Sequence, residues 1–125
     1  MDLFIKLHRL SLAAFPVIER FALSAQLRRA AYSVAANIVE GFARPPGRGR
    51  LNFLNISKGS LAEVGYCVHV ANRLGYLSDA VAGELENEIR QAMAPLVGVI
   101  RAKQVKIASA VGAIVLIVSA IARFA

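Results

Sequence analysis

Apolar residues recur every three or four positions along almost the whole chain, and nowhere do they alternate with polar ones over a run long enough for a strand. Four amphipathic helices follow. Leu3, Leu7, Leu10 and Ala14 make the stripe of a short first helix, which stops near Phe15 because Pro16 disfavours helical backbone in the residue before it. A second helix is predicted from Ser24, as a hydroxyl cap, to Gly41, as a left-handed terminator, with Leu27, Ala31, Val34 and Ile38 inward. The third spans Leu51 to Leu74, burying Leu54, Leu61, Val64, Val68 and Ala71 and closed by Gly75. The fourth is capped by Ser78 and carries Val81, Leu85, Ile89, Ala92, Leu96 and Val99 inward, with Glu84, Glu86 and Glu88 toward water and a kink expected at Pro95. Short connections between four such segments predict an all-α, antiparallel up-down four-helix bundle over residues 1–106.

Residues 107–125 break the pattern. From Ile107 to Ala122 there is no charged side chain and no polar face. As a helix these residues span roughly 24 Å, short of a hydrocarbon core of about 30 Å, although Lys106 and Arg123 can extend the span by snorkelling. Two readings stand: a membrane anchor, with Arg101, Lys103 and Lys106 holding the bundle on the cytoplasmic face, or an extension of the fourth helix buried in an oligomer. Small residues four apart, Ala108 with Gly112 and Ser109 with Ala113, permit close helix contact in either setting.

Composition sharpens this picture. At 125 residues the chain is one domain, yet 57% of it is hydrophobic and its mean hydropathy is +0.54, more apolar surface than a small lone bundle can bury. Sister copies or a bilayer must cover the excess. Fifteen Lys and Arg against eight Asp and Glu leave a formal charge of +7, which favours polyanions. A lone cysteine and an N-terminus unlike a cleavable signal set a reducing, cytoplasmic location as the expectation.

The basic residues concentrate in GFARPPGRGR, where Arg44, Arg48 and Arg50 stand among prolines and glycines. Turning a chain requires Pro and Gly but not three mutually repelling guanidinium groups, whose planar forks suit phosphate oxygens. With Arg28, Arg29 and Lys58 on the flanking helices they form the candidate nucleic-acid-binding set, recognising charge and shape because no aromatic stacking platform or base-reading motif is interleaved. Asn37, Glu40, Gly41, Gly59, Ser60 and Glu63 are read as structural: Asn37 and Glu40 bonding the following loop, Gly59 admitting a second helix backbone. No catalytic centre or metal site is legible. His8 and His69 lack the Glu-x-x-His spacing of a di-iron bundle, and Cys67 and His69, two apart on a helix, point to different sides. No cofactor motif is present, and the glycines of the arginine loop lack the lysine-serine ending of a P-loop.

The runs FPVIERFALSAQLRRAAYSVAANIVEGFAR, NFLNISKGSLAEV and LGYL resemble the four-helix bundle family encoded in intervening sequences of large-subunit ribosomal RNA genes, a resemblance covering roughly residues 15–100. That family is similar to the accessory variability protein of diversity-generating retroelements. The resemblance implies a basic homopentamer that binds nucleic acid and has a protein partner such as a reverse transcriptase. Three features depart from the family pattern: the short first helix, the extra Pro46-Gly47 and the apolar tail.

Overall fold

A computed structural model of the chain describes residues 2–19 and 22–124, without the side chains of Asp2 and of several residues between 105 and 124. The elements are α1 (Asp2–Ala13), a 3-10 turn (Val17–Glu19), α2 (Leu23–Ala43), α3 (Arg48–Arg73) and α4 (Asp79–Phe124). No strand occurs among the described residues. Successive helices pack side by side in an up-and-down four-helix bundle around Leu7, Leu27, Leu54, Leu61, Val64, Val68 and Leu85.

The closest seam is α2 on α3, and small or hydroxyl-bearing residues allow the approach. Ser33 and Ser60 hydroxyls share a 2.7 Å hydrogen bond, Ser57 Oγ donates to the Val34 carbonyl at 2.8 Å, and Gln26 donates to Glu63. Gly41 lies inside the last turns of α2 and is buried, and a Cβ there would stand 3.3 Å from both the Arg50 carbonyl and Phe53 Cβ. Its role is close approach, not helix termination, and α2 runs on to Ala43 because nothing at Gly41 requires a left-handed backbone. Gly59 is the converse: a Cβ there meets nothing within 4 Å, so no second helix of this chain packs against it.

One more cap differs from expectation. The Ser24 hydroxyl does not cap α2 but donates to the Ser11 carbonyl at 2.7 Å, tying α2 to α1. The amide of Leu23 is instead taken by the Glu19 carboxylate at 3.1 Å, which also accepts a 3.0 Å bond from the Tyr76 hydroxyl. Glu19 thereby ties the α1–α2 linker to the α3–α4 turn, with the Phe15 and Tyr76 rings 5.6 Å apart beside it. In that turn Gly75 has φ +80 and closes α3, while Ser78 Oγ accepts from the Val81 amide as the cap of α4. These last two caps are as the sequence predicts.

The inward stripe of α3 is buried as predicted, whereas on α4 Ala82 and Ile100 are buried and Val99 is 36% exposed. Glu84 and Glu88, expected to face water alone, take the Lys6 ammonium at 3.7 and 2.8 Å and so bridge α1 to α4. The α1 helix has 12 residues against 21 in α2 and 26 in α3, so it covers only part of their length. Pro95 is carried inside α4, which continues unbroken past residue 106 to Phe124. Along this extension Val111, Ile114, Val115 and Val118 are exposed. Among the described residues no helix is long and apolar enough to cross a membrane, and several side chains on which the expected anchor rests lie outside those described.

Gly41→Ala is expected to cost about 1–3 kcal/mol in urea unfolding, because backbone and Phe53 must shift to admit the methyl group. The Tyr76 hydroxyl is held above its ordinary value first by the hydrogen bond to Glu19, then by burial and the carboxylate's charge. Its folded-state value therefore exceeds the unfolded one, and its contribution is complete below pH 10 and lost as pH rises through the folded value. Tyr76→Phe should accordingly flatten the alkaline limb of a stability-against-pH curve while leaving its slope near neutrality unchanged.

Candidate nucleic-acid interface

The six basic residues singled out from the sequence do not form one surface. Arg44 follows the end of α2, and Arg48 and Arg50 belong to the first turn of α3, not to a loop, because α3 starts three residues earlier than expected. The connection is only residues 44–47, where Gly47 at φ +146 makes the reversal. Arg28 and Arg29 lie some 15 residues up α2, about 22 Å away along the helix. Arg28 Nη1 donates to the hydroxyls of Ser24 at 2.6 Å and of Ser11 at 3.2 Å, which places it in the α1–α2 seam. Exposed Arg29 donates to Gln26, whose amide reaches Glu63. Lys58 is exposed on α3, roughly two turns from Arg50.

Arg44 and Arg50 are engaged with the turn itself. Arg44 Nη2 pairs with Glu40 Oε1 at 2.9 Å, as expected of Glu40, and its guanidinium lies 4.6 Å over the Phe53 ring. Arg50 donates from Nε and Nη2 to the Arg44 carbonyl at 3.2 and 2.7 Å, and its guanidinium lies 5.2 Å from the Phe42 ring centre. Asn37 bonds back to the Ser33 carbonyl and hydroxyl and does not reach the loop. The aromatic rings missed in the sequence flank the turn, Phe42 two residues before Arg44 and Phe53 three after Arg50. Only the bundle shows that each lies beneath an arginine from the other side of the reversal.

A second omission is α4. Extended at equal rise, the antiparallel register that sets Ile89 Cγ2 4.0 Å from a Cβ at Gly65 carries Arg101 and Lys103 level with the first turns of α3. Residues 40–50 and 101–103 together carry five basic side chains, Arg44, Arg48, Arg50, Arg101 and Lys103, and a single carboxylate, Glu40. These residues hold four of the chain's seven net charges, at the end of the bundle with the 44–47 turn. No acidic residue occupies the first turn of α3, where the positive end of the helix dipole makes Arg48 and Arg50 unfavourable by a few tenths of a kcal/mol each. An anion at this end would satisfy both the arginines and the α3 amides.

The rest of the molecule holds no competing chemistry among the described residues. No group of His, Cys, Asp and Glu there is placed to bind a metal. Cys67 is buried, and burial, followed by the nearby Glu63 charge, pushes its thiol above the ordinary value. His69 is exposed on a different side of α3.

Fold and charge together define a basic four-helix bundle. The family model described as 23S rRNA-intervening sequence protein matches residues 1–98, and the chain belongs to that family. The α4 extension lies beyond the match. A protein of unknown function from the S23 ribosomal protein family of Bacteroides thetaiotaomicron has a similar solved structure, with a TM-score of 0.73 over 79% of this chain and 92% of that one. At 21% identity this likeness shows the fold alone. A comparison with curated proteins finds no match.

Arg50→Ala removes two hydrogen bonds that an exposed carbonyl can replace with water, so a loss of no more than about 1 kcal/mol is expected in thermal unfolding. Native Cys67 should react with a maleimide at pH 7 far more slowly than after denaturation, since its thiol is both buried and protonated.

Proposed function

We propose that this protein is a non-enzymatic, self-associating helical bundle that binds nucleic acid through the end formed by the 44–47 turn, the start of α3 and the basic stretch of α4. The supporting observation is the gathering of five cations against one carboxylate at that end, with guanidinium groups already lying on Phe42 and Phe53. Backbone phosphates supply most of the binding free energy, and sequence preference is weak because no side chain is arranged for a base edge. The rings offer limited stacking to an unpaired base, since Phe42 is 49% exposed while Phe53 is half-buried. The high apolar fraction favours several copies, which would also multiply the phosphates engaged per particle.

The test spares Arg44 and Arg50, which brace the turn, and changes Arg48, Arg101 and Lys103. The triple alanine variant is expected to keep its helical circular dichroism and to bind RNA and duplex DNA less tightly. Its plot of log K against log salt should be shallower by about 0.9 for each phosphate no longer neutralised on duplex, and by about 0.7 on single strands. Equal affinity and equal slope in wild type and variant, by fluorescence anisotropy, would remove the proposal.

A further inference from the structure

The end of α4 stands apart from the bundle. Its neighbour α3 has 26 residues and α4 has 46, so about 20 residues of α4 run past the start of α3, roughly 30 Å at helical rise. Val111, Ile114, Val115 and Val118 on this extension are 47%, 60%, 57% and 59% exposed, and no other element of the chain covers them. The sequence around them is no more polar: from Ile107 to Ala122 it holds no charge, and Ser109 and Ser119 carry its only side-chain hydrogen-bonding groups. Each helix of the bundle has charged residues to show to water, and this stretch has none.

The number of sides to be covered selects the cover. A second helix, or a ring of them, would bury one inward stripe, roughly 100° wide, and leave the other sides in water, whereas acyl chains enclose a helix on every side. Charge agrees with lipid. Arg101, Lys103 and Lys106 stand just before the uncharged run and Arg123 just after it, where headgroups would meet them. Arg101 and Lys103 have no carboxylate partner among the described residues. The α4 helix also leaves the bundle at the 44–47 end, so the apolar extension and the basic end face the same way.

We infer that residues 107–122 bury in the hydrocarbon of a bilayer with anionic headgroups, and that Arg48, Arg101 and Lys103 lie against those headgroups. The uncharged run is roughly 24 Å long against a hydrocarbon core of about 30 Å, so this burial does not require a crossing to the far side. Each cation near such a surface adds attraction, and the apolar residues supply the depth. The inference does not rest on nucleic-acid binding: lipid phosphates and nucleic-acid phosphates would engage the same basic end, but only lipid engages the extension.

Flotation of the whole chain with vesicles of mixed phosphatidylcholine and phosphatidylglycerol provides the test. The wild-type chain should float with them, and should bind vesicles of phosphatidylcholine alone roughly tenfold less tightly or weaker still. Val111→Asp together with Val118→Asp should keep the thermal midpoint of the bundle, since both positions are exposed on the extension, while partitioning falls roughly a hundredfold or more. Depth is read separately. The chain has no tryptophan, so Val115→Trp introduces a single reporter, whose emission should shift to the blue on vesicles and be quenched by lipids brominated along the acyl chain. Wild type left at the bottom of the gradient would overturn the inference, as would equal partitioning of the double variant. Flotation without acyl-chain quenching would overturn it too, by showing adhesion through the basic end alone. None of these results alters the RNA and DNA titrations above.

Discussion

The approach of α2 to α3 is the constraint on which the remaining architecture depends. Two helices separated by a four-residue turn can lie this close only if the side chains between them are small, and if the polar ones among them find partners. Ser33 with Ser60, Ser57 with the Val34 carbonyl, and Gly41 under Phe53 meet both conditions. Larger residues would push the pair apart and break those bonds together. Because Gly41 brings α2 against the start of α3, it also sets the distance across which Arg44 reaches Phe53 and Arg50 reaches the Arg44 carbonyl. The basic turn is thus built on the same packing as the core.

Charge follows from this topology. At the opposite end carboxylates are put to structural use: Glu19 holds the α2 amide and Tyr76, Asp79 receives Asn72, and Glu84 and Glu88 hold Lys6. At the 44–47 end Glu40 is the single carboxylate, so cations there outnumber their partners. Opposite ends of one bundle are therefore electrostatically unlike, although the chain's overall charge describes neither. The field of the basic end extends about a Debye length into physiological salt, some 8 Å.

Helix number, class and the inward stripe of α3 were legible because a period of three to four apolar residues has one interpretation when sustained over many turns. The caps at Gly75 and Ser78 were legible for a similar reason, each being a local requirement of backbone geometry. The α2 cap was misread because Ser24 has the chemistry of a cap and a better partner in the Ser11 carbonyl of another helix. Gly41 and Gly59 were misread in opposite directions: a glycine's sequence context does not say what stands opposite its missing side chain. Of the six basic residues proposed, Arg44, Arg48 and Arg50 fall together, while Arg28 and Arg29 lie far up α2 and Arg28 is occupied with serine hydroxyls. Arg101 and Lys103 were read as the flank of a membrane anchor and left out of the basic set, since they are about fifty residues from the turn.

By itself the sequence determined what each segment could hide: four amphipathic stripes, a strong positive balance and a high apolar fraction, all of them properties summed along the chain. Tertiary structure alone decided which charges became neighbours, which rings came to lie beneath which guanidinium groups, and which glycine faced a helix and which faced open space. The physical reason is register. A periodic pattern fixes the face of a helix that turns inward, but the sliding of one helix along another depends on where small residues permit contact and where hydroxyls find carbonyls, and those relations exist only between segments.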